Sequence, residues 1–307
     1  MTMRIGTRGS PLARAQAKEV SKRLIAAHPS TPATEAPKID IIKTTGDKFL
    51  SASLTEIGGK GLFTKEIEEA LINKRIDIAV HSMKDVPTKL PPGLVIDCIL
   101  PREDPRDVLV VKNVNSIKEL PIGAKVGTSS LRRKTQLMRA RPDLKFSILR
   151  GNLSNRISKV IEDDIDATLL AYAGLRRLDA YNKEWPILSV DEMLPAAAQG
   201  AIGIERREDD EDTAEFLKPL NCVLSQIRVT AERAFLATLE GSCRMPIGAL
   251  GQVISEDLIS LRGLIADPSG KSYYELELSS SLAEAELLGK ELGSELKALG
   301  GENLWLK

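Results

Sequence analysis

Histidine, cysteine and aromatic side chains are all scarce here, with 2 His, 3 Cys and 4% Phe, Trp and Tyr in 307 residues. Each scarcity removes a class of function. Cys98, Cys222 and Cys243 are odd in number and far apart. They lack the paired spacing of a zinc site and the density of a disulfide framework, so no metal is expected and a reducing compartment is. With few aromatics there is little to stack bases on, and 43 Lys+Arg against 43 Asp+Glu leaves no basic footprint, so nucleic acid is not an expected partner. No apolar run approaches the length of a bilayer-spanning helix. The beginning, Met1 to Gly6, enters a strand-like segment without the apolar stretch of a secretory signal. A cytoplasmic protein with no membrane partner is therefore expected. Gly58-Gly59-Lys60-Gly61 lacks the G-x-x-x-x-G-K-[ST] pattern, which disfavours a nucleotide.

What is present is an ordinary globular composition, 42% hydrophobic and 28% charged, at a length that predicts two or three domains. Met3 to Gly6 reads as a strand, and Ser10-Pro11 caps and opens a helix through about Ala27. Lys38 to Thr44 alternates like a strand, Phe63 to Lys74 has helical spacing, and Ile76 to Val80 is a buried-type strand. This alternation predicts a mainly parallel sheet covered by helices. A second set follows. Lys125 to Ser130 repeats the strand, Gly-Thr turn and serine cap of Arg4 to Ser10, and Ile165 to Leu170 echoes Ile76 to His81. The unequal offsets predict that the second set lacks a segment about as long as a strand and a long loop. Proline and glycine mark hinges at Pro101 to Pro105 and Leu194 to Gly200, and Ala201 to Glu205 is expected to return to the first sheet. Beyond Leu220, a helix over Ser225 to Glu240, strands over Ile247 to Leu278 and a helix over Leu282 to Leu299 read as a small α+β domain. The expected division is 1–99 with 200–217, 100–199, and 218–307.

Both Gly-Thr turns put helix N-termini at the carboxyl ends of strands, where open α/β sheets bind anions. Arginines recur there: Arg8 in the first turn, Arg132 and Arg133 in the second, Arg150 and Arg156 after another strand, and Arg176 and Arg177 after a fourth. Any one of them suits a solvated surface; together they point to a polyanion held by bidentate guanidinium contacts. The remaining candidates stay open on residues alone. The loop at Lys60 suits a surface loop as well as a lid. Asp85, closing the strand with His81-Ser82-Met83-Lys84, suits a helix cap as well as an acid–base group. His81 suits a core histidine as well as a base. Cys243 suits an inert thiol, although its Gly, Ser and Arg neighbours favour an accessible thiolate.

Taken together, RIGTRGSPL from Arg4, GGKGLF from Gly58, DIAVHSMKDVP from Asp77, REDPRD from Arg102 and VGTSSLRR from Val126 resemble the hydroxymethylbilane synthase, or porphobilinogen deaminase, family. LRGN from Leu149 with Arg156, AGLRRL from Ala173, LPAAAQG from Leu194 and LEGSCRMPIG from Leu239 extend the resemblance over most of the chain. It implies two related doubly wound α/β domains like those of type II periplasmic binding proteins, plus a small α+β C-terminal domain. It also implies a cytoplasmic, monomeric transferase of porphyrin and heme biosynthesis. Such an enzyme joins four porphobilinogen molecules head to tail with loss of ammonia, then releases hydroxymethylbilane with water. The polypyrrole grows on a dipyrromethane cofactor joined by a thioether to the cysteine matching Cys243. Asp85 and Lys84 match catalytic positions. Lys84, Thr128, Ser129, Ser130, Arg132, Arg133, Arg150 and Gly151 match cofactor contacts, while Arg8, Ser10, Lys60, Arg156, Arg177 and Gln199 match substrate contacts. Ser242 departs from the family's usual glycine and Asn155 from its usual threonine.

Two other classes compete. A two-lobed anion-binding protein shares the fold and the arginines, but the expected lack of export and the third domain with Cys243 count against it. A cysteine hydrolase using Cys243 with His81 needs an orienting carboxylate and an oxyanion hole that the sequence does not display.

Overall fold

The computed structural model describes residues 2–48, 64–239 and 245–301. Lys60, Ser242 and Cys243, singled out above, lie outside the described residues. The chain divides into two compact units, Met1–Glu103 with Ala201–Gln226, and Asp104–Gly200 with Ile227–Lys307. In chain order the first unit begins with β1 (Arg4–Arg8), α1 (Pro11–Ala27), β2 (Lys38–Ile42), α2 (Thr45–Lys48), α3 (Lys65–Ile72), β3 (Ile78–Ser82) and β4 (Leu94–Ile99). The second contributes β5 (Asp107–Val111), β6 (Lys125–Gly127), α4 (Leu131–Ala140), β7 (Lys145–Ser147), α5 (Leu153–Ile161), β8 (Ala167–Ala171) and α6 (Tyr172–Arg177). The chain then supplies β9 (Ile202–Arg207) and α7 (Glu211–Leu217) to the first unit. After α8 (Val223–Thr238) come β10 (Ile247–Val253), β11 (Leu258–Ala266), β12 (Tyr273–Ser281) and α9 (Ala285–Gly300).

The first sheet has the order β2-β1-β3-β9-β4 and the second β5-β8-β6-β7. In each, a central strand pairs in parallel with two others, β1 with β2 and β3, and β6 with β7 and β8. The sheets are nonetheless mixed rather than mainly parallel, because β9 runs antiparallel to β3 and β4, and β5 antiparallel to β8. These strands reach their sheets from the other unit without a helical crossover, the connection that makes neighbours parallel. β9 returns to the first sheet as expected from Ala201 to Glu205.

Read from one edge, β2-β1-β3-β9 matches β7-β6-β8-β5, so the internal repeat is structural. Packing repeats too: a Cβ on Gly6 would lie 2.2 Å from Ile76 Cδ1, and one on Gly127 would lie 2.5 Å from Ile165 Cδ1. At both positions the strand carries glycine because an isoleucine side chain covers its face. The second set is shorter, as expected, but keeps a strand in each place, with β7 standing where β2 does. The difference in length is divided between the stretch before that strand, from Arg8 to Lys38 against Gly127 to Lys145, and the stretch after it, from Ile42 to Lys65 against Ser147 to Leu153.

Strands β3 and β5 are buried along most of their length, as strands covered on both faces are. Ile5, Val20, Leu24, Val80, Leu100 and Ile204 pack into the core of the first unit. In the second unit, β10, β11 and β12 form an antiparallel sheet. Phe235 of α8 and Leu292 and Leu296 of α9 share a core with Ile259, Leu261 and Ile265 of that sheet. Among the described residues no helix is long and apolar enough to cross a membrane.

Cys98 on β4 is 2% exposed, with its Sγ 3.6 Å from the carbonyl of Leu217. Burial, reinforced by Asp97, pushes its thiol up to about 12. Cys222 is only half-buried. Iodoacetamide at pH 8 is therefore expected to modify Cys222 in the native protein and leave Cys98 untouched, read by peptide mass mapping. Comparable labelling of both would mean that β4 opens readily.

Candidate functional site

Three helices start at the carboxyl ends of parallel strands, each with a side-chain cap. Ser10 Oγ accepts from the amide of Ala13 at 3.3 Å, Ser130 Oγ from that of Arg133 at 3.4 Å, and Asn152 Oδ1 from that of Asn155 at 2.9 Å. Proline at the first position of α1 costs nothing because its missing N–H had no partner in the helix. The caps hold the strand-to-helix turns in place, and Arg8, Ser10, Thr128, Ser129, Ser130, Arg132, Arg133, Arg150 and Gly151 sit on or beside those turns.

In the first unit, Arg8, Ser10, Gln16, Thr64, His81, Ser82 and Asp85 line a cavity of about 90 Å³ together with apolar side chains. Four of the sequence candidates, Arg8, Ser10, His81 and Asp85, thus meet in one place. Gln16 on α1 and Ser82 at the end of β3 hydrogen-bond each other at 2.8 and 3.0 Å, tying the helix to the strand beside the cavity. Asp85 ends a short 3₁₀ turn over Met83–Asp85 that is pinned by the buried Met83. Asp85 is exposed and its carboxylate has no hydrogen-bond partner among the described residues, so it stands at the rim. Lys84 beside it is exposed as well. Deeper, His81 Nε2 lies 2.9 Å from Glu205 Oε2, with the two side chains 5% and 1% exposed. Glu68 on α3 is also buried, and burial pushes its carboxyl above the ordinary range, with Glu205 adding repulsion.

In the second unit the arginines divide. Arg132 donates from Nη2 to Asp107 Oδ2 at 2.8 Å and from Nη1 to the Leu194 carbonyl at 2.8 Å. Arg133 donates from Nη2 to Asp107 Oδ1 at 2.7 Å, while its Nε is buried without a hydrogen-bond partner among the described residues. Asp107 is fully buried. Desolvation alone would raise its carboxyl, but the two guanidinium groups and their hydrogen bonds hold it well below the usual carboxylate range. Gln199, which the resemblance placed on the substrate, is 1% exposed and turned inward, donating to the Pro105 carbonyl at 2.7 Å and Asp107 Oδ1 at 3.0 Å. Gln136 bonds both backbone groups of Leu194, and Arg177 donates to the Gly200 carbonyl at 3.1 Å. Buried Glu232 accepts from the amides of Ala198 and Gly251. The segment Leu194 to Gly200 is therefore held by side-chain hydrogen bonds at Leu194, Ala198, Gln199 and Gly200.

Ser129 Oγ donates to the Leu149 carbonyl at 2.8 Å, joining the β6 turn to the β7 turn that carries Arg150 and Gly151. Thr128 is buried and Ser129 exposed. Gly151 has φ +110, which disfavours a side chain, and a Cβ there would lie 3.1 Å from Asn155 Cβ. Arg156 Nε donates to the Gly151 carbonyl at 2.9 Å, so the guanidinium is braced against the turn. Asn155 at the family's usual threonine position keeps its backbone in the cap.

Sequence reasoning assigned no role to Asp107, Glu205, Gln136 or Glu232. Asp107 carried one signal, a carboxylate heading the apolar run Val108-Leu109-Val110-Val111, where a charge needs a partner. Glu205, Gln136 and Glu232 carried none, since their partners are 124, 58 and up to 34 residues away.

Residues 3–215 match the family model described as porphobilinogen deaminase, dipyromethane cofactor binding domain. Residues 226–298 match the porphobilinogen deaminase C-terminal domain. The porphobilinogen deaminase of Paracoccus denitrificans (strain Pd 1222) is 52% identical over 295 residues, covering 96% of this chain and 93% of that protein. The chloroplastic porphobilinogen deaminase of Oryza sativa subsp. japonica is 50% identical over 301 residues, covering 97% and 84%. Among solved structures, a nutrient binding protein from Burkholderia cenocepacia bound to methionine aligns over 70% of this chain and 88% of its own, at 14% identity and a TM-score of 0.40. With both family models matched and half the residues identical over nearly the whole length, the chain belongs to the porphobilinogen deaminase family.

Proposed function

We infer that this chain is a hydroxymethylbilane synthase, a transferase that condenses four porphobilinogen molecules head to tail with loss of ammonia and releases hydroxymethylbilane with water. The observation in the geometry that carries this reading is the cavity lined jointly by Arg8, Ser10 and Asp85. It combines a cation for the substrate's carboxylates with a carboxylate for the ring cation formed when ammonia leaves. A dipyrromethane cofactor supplies the primer pyrrole when bound, through a thioether assigned to Cys243. The second unit suits such a group. Arg133 keeps a buried donor at Nε with no partner among the described residues, beside the Ser130 cap, and Arg150 and Gly151 stand on the adjoining turn.

The residue roles belong to this reading. Asp85 holds pyrrole N–H groups and Lys84 a peripheral carboxylate. Thr128, Ser129, Ser130, Arg132, Arg133, Arg150 and Gly151 surround the cofactor. Arg8, Ser10, Lys60, Arg156, Arg177 and Gln199 serve the substrate or the elongating chain, Gln199 by way of the Asp107 cluster rather than by contact. So do a three-domain division at 1–99 with 200–217, 100–199 and 218–307, a monomeric state and a cytoplasmic location.

Purified protein is expected to exceed its sequence mass by two pyrrole units, to colour with an acidic aldehyde reagent, to carry the adduct on the peptide containing Cys243, and to consume porphobilinogen. Protein of unmodified mass that consumes no porphobilinogen would support an anion-binding protein without catalysis instead.

A further inference from the structure

We propose that His81 is the base that takes the proton lost from the attacked pyrrole carbon in each coupling, with Glu205 orienting it; this rests on the hydroxymethylbilane synthase reading above. His81 lies next to the end of β3 and lines the same cavity as Arg8, Ser10, Ser82 and Asp85. Its Nε2 lies 2.9 Å from Glu205 Oε2 on the neighbouring strand β9. The charged and titratable groups around it are Glu205 from β9, Glu68 from α3, Arg8 from β1 and Asp85 from the turn after β3. From α1 and its cap the cavity receives only the neutral Ser10, Leu12, Ala13 and Gln16 among the described residues.

In each coupling the C–N bond of porphobilinogen breaks and its electron pair leaves with nitrogen as ammonia. A C–C bond forms to the free α-carbon of the accepting pyrrole. The C–H bond at that carbon then breaks, its electron pair restores the aromatic ring, and a proton must be accepted. Among the described side chains lining the cavity, only Asp85 and His81 carry an atom able to accept a proton in this role, because guanidinium has no lone pair to offer. A proton on Asp85 would cancel the negative charge that stabilises the ring cations. His81 is free of that conflict. With Nε2–H donating to Glu205, Nδ1 carries the lone pair, and the buried carboxylate stabilises the imidazolium that forms. The proton then passes to the departed ammonia, giving ammonium.

The test uses cofactor-loaded protein, verified by intact mass, and porphobilinogen deuterated at its free α-carbon. His81→Gln is expected to lower kcat on the order of 100-fold, with KM within a few-fold of the parent. It should also enlarge the primary isotope effect and abolish the acidic limb of the kcat/KM profile. Loaded His81→Gln protein with near-parental kcat, or with an unchanged isotope effect and pH profile, would overturn the assignment. Should that variant fail to fold, Glu205→Gln carries the test. It keeps size and a hydrogen bond, and it is expected to move the acidic limb to lower pH; an unmoved limb overturns the pairing. Parental protein unable to consume porphobilinogen would instead sink the underlying function, so the two failures are distinct.

Discussion

Turnover of porphobilinogen by Asp85→Asn protein is expected to fall by on the order of 10²–10³-fold, the usual consequence of removing one preorganised electrostatic group. Departure of ammonia leaves positive charge on the substrate ring, and attack by the accepting pyrrole leaves positive charge on the second ring. Both need a negative group within hydrogen-bond distance of pyrrole N–H. Arginines cannot supply it. Asp85 can, because its carboxylate is exposed at the rim of the cavity and has no partner among the described residues to occupy either oxygen. The buried Met83 pins the turn that carries it, so the charge is held in place. Asparagine keeps the shape and the hydrogen-bonding capacity but removes the charge. Asp85→Glu keeps the charge and displaces it by one methylene, so it should retain measurable turnover. The comparison is made by steady-state kinetics on protein whose mass includes the cofactor. Loaded Asp85→Asn protein turning over within a few-fold of the parent would exclude a charge-stabilising role for Asp85.

The second large effect is on folding. Asp107→Asn is expected to lower stability by about 3–5 kcal/mol, the cost of removing one partner from a buried ion pair. Arg132 and Arg133, 5% and 6% exposed, would keep their charges with no anion between them. Arg132 also donates to the Leu194 carbonyl and Gln199 to Asp107, so the loss should extend into the Leu194 to Gly200 segment. Chemical denaturation measures the change. A cycle with Arg132→Leu should show strong coupling, because the second substitution removes one of the stranded cations. The folded carboxyl lies below its unfolded value, so its contribution is present above about pH 3.9 and is lost as pH falls toward the depressed folded value. The parent should therefore lose stability in acid more steeply than Asp107→Asn protein. Independent effects in the cycle, or equal acid sensitivity, would mean that Asp107 is not the keystone of this cluster.

Much of the fold was legible because it rests on local rules. Ser10-Pro11 announces a capped helix, and α1 starts there. The Gly-Thr pairs at β1 and β6 repeat because both strands need a residue without a side chain under an isoleucine, although Gly6 and Gly127 lie in the strands themselves and not in the turns after them. Two expectations missed for lack of any local signal. Strand direction depends on where the chain enters a sheet, which periodicity does not encode, so β5 and β9 came out antiparallel. The shorter second repeat was read as lacking one segment, whereas the difference is divided between the stretches before and after β2, because sequence offsets count residues without saying which element holds them.

By itself the sequence determined the family, the two related α/β units with an α+β segment, and the arginines at strand ends, since each of these is written in contiguous motifs. Only the tertiary structure decided what each charge faces. Arg132 and Arg133 look alike in Ser130-Leu131-Arg132-Arg133, yet one is fully engaged with Asp107 and Leu194 while the other keeps a buried donor at Nε. Asp85 stands exposed at the rim, and His81 below it meets Glu205 from 124 residues away. The physical reason is that burial and charge pairing are set by the packing of distant segments: a motif states which side chain is present, and the fold states which partner neutralises it.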